Sequence, residues 1–207
     1  MLLQKYITSA CSISKGRVSK NNALLFESED AGISSFLASA YQHFQCSYPK
    51  FYKMDNLGKL GWLASEILLK ATFEKGKYQP EKVGLVLANA NSSLDDDIKY
   101  YESAKDIASP ALFVYTLPNI VIGEICIRNN FKGEHAFYIQ ENFDATFIEK
   151  QVNYLLDNEI LDACICGWVD VLEQEYKAVL FLIEKENKDS SVMFSARSMN
   201  GIFKAAN

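Results

Sequence analysis

Five cysteines, two histidines and one run of three aspartates carry most of the chemistry this sequence could offer. Cys164 and Cys166 flank a single residue. In a strand that spacing puts both thiols on one face. A structural metal site takes about four ligands, and the sequence holds no second Cys/His pair to complete one. The two are therefore read as small buried residues. Cys11, Cys46 and Cys126 are scattered through apolar segments. An odd total fits reduced thiols in a cytoplasmic protein rather than a disulfide framework. Asp95, Asp96 and Asp97 lack the spacing and the glycine of a calcium loop. They read as the solvated first turn of a helix, where the dipole favours carboxylates. His43 and His135 each stand alone and read as surface or interface residues. Neither a metal nor a cofactor is expected.

The chain has 207 residues and a net charge of −5. Its length suits one domain spanning residues 1–207 with a substantial core. Its arginines, Arg17, Arg128 and Arg197, lie far apart. An acidic chain with so few guanidinium groups is not equipped to neutralise a phosphate backbone, so no nucleic-acid partner is expected. The N-terminus lacks a basic stretch followed by a long apolar run. The apolar region 111–127 is broken by Pro118, Asn119 and Glu124, too interrupted for a membrane span. A cytoplasmic location is expected.

The elements that would position these side chains alternate in type. Residues 5–14 are β-branched and small and read as a first strand. Residues 15–34 read as a polar loop, with room for a short strand at 23–26, and 34–43 as a short helix. Asp55 has the place of an N-cap before an apolar-periodic run that predicts a helix to about Phe73. Residues 82–90 form a continuous apolar run of the buried-strand type. An apolar helix is predicted after Pro118, a strand at 135–140, a helix at 145–159 and strands at 162–171 and 178–185. The last two strands are separated by a connection too short for a parallel crossover, so the final strand is expected antiparallel to its predecessor. The segment from Glu186 onward reads as a polar tail with a few apolar anchors.

Four segments in this order resemble the N-terminal half of a β-ketoacyl synthase of the thiolase-like superfamily: MDNLGKLGWLASEILL from Met54, EKVGLVLANA from Glu81, SPALFVYTLPNIVIGEICIRNNFKGE from Ser109, and LDACICGWVD from Leu161. The third is the most specific. The resemblance implies an α/β, half thiolase-like fold with a five-stranded mixed sheet flanked by helices, its last strand antiparallel. In that family a nucleophilic cysteine stands at a strand-to-helix turn, where the helix N-terminus lowers its pKa and binds the oxyanion. The family's spacing forward from Gly133 and backward from Asp162 lands on Asn142, in the sequence YIQENFDA. An asparagine amide cannot form an acyl thioester. The family's histidine pair comes from a C-terminal half that this sequence does not contain. The helix after the nucleophile is buried between two sheets in the full fold, yet ATFIEKQVNYLLDNE has a polar face.

The resemblance therefore implies a ketosynthase-like accessory protein without a catalytic residue. Its setting would be fatty acid or polyketide (aryl-polyene-type) biosynthesis, and it would pair with a ketosynthase or engage an acyl carrier protein. The family strand before the nucleophile pairs across a two-fold axis. Its counterpart holds Ala136, Phe137, Tyr138 and Ile139, so a homodimer or heterodimer through this strand is expected. The segment lining the family's acyl pocket and dimer floor corresponds to Phe113, Tyr115, Pro118, Asn119, Ile122 and Gly123. Core packing explains its apolar members equally well. Gly123 would permit a close helix approach, and Asn119 would cap the helix. Two alternatives stand beside this reading. Some relatives with glutamine for cysteine decarboxylate malonyl thioesters. Asn142 is a shorter amide that could donate to an enolate oxygen, with Glu141 as acid or base. Otherwise the chain is a structural or regulatory module that keeps only the fold.

Overall fold

Hydrophobic runs and tight turns lay down a sheet whose two faces are covered by different helices. The computed structural model describes residues 4–29, 32–188 and 191–206. Strand β1 (Tyr6–Ser14) continues through two reversals into β2 (Arg17–Lys20) and β3 (Ala23–Glu27). Both reversals are two-residue turns with positive φ at each position, Lys15-Gly16 and Asn21-Asn22, the geometry whose twist matches a hairpin. Helix α1 (Ile33–His43) follows, then α2 (Asn56–Leu69), which Asp55 caps by accepting from the Gly58 and Leu57 N–H groups. Strand β4 (Val83–Asn89) is buried along its whole length. Helices α3 (Leu94–Ala104), α4 (Pro110–Tyr115) and α5 (Ile120–Asn129) lead to strand β5 (His135–Ile139) and helix α6 (Ala145–Asp157). Strands β6 (Ala163–Leu172) and β7 (Glu175–Glu184), the short β8 (Val192–Met193) and helix α7 (Ala196–Ala205) complete the chain.

The sheet runs β3–β2–β1–β7–β6–β4–β5, with β8 beside β1. β4 lies parallel to β5 and to β6, and the other pairings are antiparallel. The expected antiparallel final pair is present, joined by the turn Glu173-Gln174. The sheet has eight strands rather than five. The short strand allowed at 23–26 is present as β3, and the further additions are β2, formed in the expected loop, and β8 in the expected tail. Against one face pack α1, α2 and α5. Against the other pack α6 and α7, enclosing Cys164, Cys166, Trp168 and Phe181. The two cysteines do share a face, as strand alternation requires.

Other expectations are corrected in detail. Helix α2 ends at Leu69, not Phe73, and α4 forms ahead of Pro118. The tail is not merely polar, because Met199, Ile202 and Phe203 of α7 dock on the second core. No helix among the described residues is long and apolar enough to cross a membrane.

Candidate functional site

The turn from β5 into α6 holds the position expected for a nucleophile. β5 is the last strand of the sheet. It pairs on one side with β4, from Leu85↔His135 to Asn89↔Ile139, and among the described residues no strand pairs its outer side. Phe137 faces the first core and Tyr138 the second. The Tyr138 hydroxyl donates to Gln151 at 3.3 Å, and its ring meets Phe147 edge-on at 4.8 Å. Ile139, at the carboxyl end of the strand, is 52% exposed.

Beyond it the Gln140 N–H donates to the Asn89 carbonyl, extending the pairing by one residue. Glu141 and Asn142 face solvent. Phe143 turns inward and stacks on Phe203 of α7 with centroids 4.3 Å apart. Asp144 then caps α6, accepting from the Thr146 and Phe147 N–H groups at 2.9 and 3.0 Å. The donors that would stabilise a thiolate or oxyanion are thus held by the chain's own carboxylate, whose charge opposes a second anion nearby. The thiols elsewhere are no substitute. Burial pushes Cys11 and Cys164 up to about 12 and Cys126 up to about 11, and it raises Cys46 and Cys166 as well. All five stay protonated at neutral pH, whereas the thiolate is the reactive form.

The six residues of the 113–123 segment are not gathered on one wall. Tyr115 and Ile122 are buried in the first core, while Phe113 and Asn119 are exposed. Phe113 lies 5.5 Å from Tyr100 of α3. Pro118 precedes α5, and Asn119 is its first flanking residue. Its backbone carbonyl accepts from the Ile122 and Gly123 N–H groups, but its side chain makes no capping bond. Asn119 thus flanks the start of the helix through its backbone alone. Asn119 has helical φ/ψ (−72°, −6°) rather than the extended backbone found at most caps. A Cβ on Gly123 would meet nothing within 4 Å. The close helix approach sits instead at Gly61 of α2, where a Cβ would lie 2.3 Å from Val121.

Two buried polar clusters lie near this segment. The Tyr115 hydroxyl donates to Glu124 at 3.1 Å, and Lys50 pairs with the same carboxylate oxygen at 2.8 Å. Burial, followed by the charge on Glu124, raises the Tyr115 phenol well above its ordinary value. The second cluster corrects the solvated reading of the aspartate run. Asp95 is buried, accepting from the Glu173 N–H at 3.0 Å and pairing with Lys99 at 2.6 Å. Asp96 is 1% exposed, and among the described residues neither of its oxygens has a partner. Burial lifts Asp96 to about 6 and the Asp55 cap to about 7.

The outer face of α3 carries what the inner face would ordinarily hold. Leu94, Ile98 and Tyr101 are 43%, 46% and 67% exposed and share one side at helical spacing. Phe113 and Val114 of α4, and Leu117 just after it, are exposed as well. Helical periodicity alone would have turned Leu94 and Ile98 inward. What turns them outward is Asp95, which accepts from the Glu173 N–H in the turn after β6 and holds its own side of α3 inward.

No protein-family model matches the sequence, and no curated protein is similar to it. Solved structures do share its fold. The ishigamide ketosynthase/chain length factor superposes with a TM-score of 0.65 at 14% identity, covering 87% of this chain and 62% of the other. A type II polyketide synthase acyl-carrier protein in complex with its ketosynthase bound to the hexaketide gives 0.61 at 12% identity, covering 89% and 63%. A ketosynthase in complex with its chain length factor from Xenorhabdus doucetiae gives 0.54 at 11% identity, covering 90% and 80%. The chain therefore has the thiolase-like fold of ketosynthase and chain length factor proteins over nearly all of its length, while spanning less than two thirds of the first two chains it matches.

Proposed function

We propose that this chain is a non-catalytic, ketosynthase-like accessory subunit that pairs through β5 with a ketosynthase of a polyketide- or fatty-acid-type pathway and helps present acyl carrier protein to it. The observation that carries the proposal is the open outer edge of β5. A strand with unpaired N–H and C=O groups and an exposed isoleucine is a template for another strand. The exposed apolar side chains of α3 and α4 support the same reading, since large apolar groups left in solvent mark interaction sites when they cluster. The absence of chemistry rests on Asn142 at the nucleophile position and on Asp144 occupying the first N–H groups of α6. The neighbour covered at 90% and 80% supports the pairing further, because it comes from a complex of a ketosynthase with its chain length factor.

The test is capture from native lysate on the immobilised chain, with bound proteins identified by mass spectrometry. A full-length ketosynthase or an acyl carrier protein is the expected catch. Ile139→Lys would put an ammonium at the strand edge and is expected to weaken recovery at least about tenfold, a loss of about 1.4 kcal/mol. Recovery of neither class, or recovery unaffected by Ile139→Lys, overturns the proposal. A separate expectation addresses residual chemistry. Asn142→Ala should leave the thermal midpoint and the background rate of malonyl-thioester decarboxylation unchanged. A rate that drops with the substitution would mean that the amide does donate to an enolate.

A further inference from the structure

An open cleft of about 470 Å³ lies at the C-terminal ends of α1, α2 and α5, a volume in the range of small-molecule sites. It is far from the β5–α6 turn. The segment after α2 reaches Thr72, whose carbonyl accepts from Lys188. Lys188 bonds to Glu184, and Glu184 pairs in register with Ala163, the first residue of β6. The cleft therefore sits at the amino ends of the parallel strands, whereas the turn follows a carboxyl end.

The lining has two parts. Half-buried Phe44 and Phe73 supply most of the apolar surface, with the edges of the buried Ile67 and Leu69 beneath them. Several acceptors at the helix ends around the cleft are taken by internal bonds. Helix C-termini ordinarily leave carbonyls free, but here the Tyr41 carbonyl accepts from Cys46 N–H, Leu69 from Thr72 and Phe73, Lys70 from the Lys20 ammonium and Cys126 from Phe131. The Glu66 carboxylate is held by the Arg128 guanidinium at 3.1–3.2 Å. The charged groups left over are the ammoniums of Lys70 and Lys75, neither of which has a side-chain hydrogen bond or ion pair among the described residues. Like charge is already felt there, since Lys70 helps to lower the pKa of Lys20 after burial. In a chain of net charge −5, this is a local excess of positive charge beside an apolar floor.

We infer that this cleft binds an amphiphilic monoanion, a carboxylate on an unbranched apolar chain of about ten carbons, with the chain against Phe44, Ile67, Leu69 and Phe73 and the carboxylate between Lys70 and Lys75. Decanoate has ten carbons and two oxygens, which at roughly 30 Å³ per heavy atom need about 360 Å³, within the cleft's volume of about 470 Å³. The site is independent of the pairing through β5, so either proposal can fail alone.

Decanoate is the probe, titrated calorimetrically into the full chain. Saturable one-site binding with a Kd below about 1 mM is expected. The exposed pair Lys70→Glu/Lys75→Glu should weaken it at least about tenfold, and uncharged decanol should bind weaker than decanoate by a similar factor. Cys46 lines the same cleft and is half-buried. Decanoate should slow its alkylation by iodoacetamide while leaving Cys126 unaffected, read by peptide mass spectrometry. Absence of saturation, equal binding by the double variant, or unprotected Cys46 overturns the assignment.

Discussion

Replacing Glu184 with alanine is expected to lower stability by about 3–5 kcal/mol, the cost of breaking a buried ion pair from one side. Glu184 is fully buried at the end of β7. Its carboxylate accepts from the Thr8 hydroxyl and the Lys188 ammonium at 2.5 Å, from the Tyr78 hydroxyl at 2.8 Å and from Lys77 at 3.4 Å. One side chain thus ties β1, the loop before β4 and the segment after β7 to the sheet. Alanine would leave two ammoniums and two hydroxyls without their acceptor, and unmade buried bonds cost more than made ones contribute. The pH dependence has a definite sign. Burial alone would raise this carboxyl, but bonds from Lys188, Thr8 and Tyr78 outweigh it and hold the pKa below 4.5. A depressed carboxylate stabilises fully above its unfolded value and loses that contribution as pH falls through the folded one. Urea midpoints for wild type and Glu184→Ala should therefore be far apart at pH 7 and converge below about pH 4, near the ordinary carboxylate value. A difference under about 1 kcal/mol at neutral pH would show that the network contributes no more than a surface pair.

Two glycines should respond in opposite ways. Gly61→Leu is expected to cost at least about 3 kcal/mol, the upper end for overpacking. Its Cβ alone would lie 2.3 Å from Val121 Cγ2 and 3.3 Å from Val169 Cγ1, and both valines are buried. β-branched neighbours have few rotamers to retreat into. The insertion would force α2 away from both α5 and the sheet. Gly123→Ala, on the open side of α5, should instead stabilise by about 0.5–1 kcal/mol, the helix preference of alanine over glycine. Thermal melts of the two variants decide the matter. A loss at Gly123, or tolerance at Gly61, would mean that the α2–α5 contact is placed differently.

These glycines also mark what a sequence can and cannot disclose. β4 and α2 were legible because a continuous apolar run and a capped 3.6-residue period each have one good structural solution. The antiparallel β6–β7 pair followed from a connection too short for anything else. The strand β5 and the helix α6 after it follow the sequence reading because alternation and a helical apolar period are local signals. Which glycine meets another helix is not local: Gly61 and Gly123 look alike until α2 and α5 are packed. Helix α7 was hidden because Met199, Ile202 and Phe203 are diluted by Arg197, Asn200 and Lys204, and only the core beneath them makes the stripe meaningful. The β1–β2 and β2–β3 hairpins did leave a trace, in the Lys15-Gly16 and Asn21-Asn22 pairs suited to left-handed turns. The burial of Asp96 left none, because ordinary energetics place a carboxylate run in solvent.

The reversed polarity of α3 bears on how such a chain would fare in a cell. Buried aspartates beneath exposed leucine, isoleucine and tyrosine make its surface tolerable when covered and adhesive when bare. Under the pairing proposed above, newly made copies in excess of a partner would present that surface to chaperones and proteases. The amount of this protein that persists would then follow the supply of its partner rather than its own rate of synthesis. A matched output of the two chains, or assembly while one is still being made, would serve it better than independent expression.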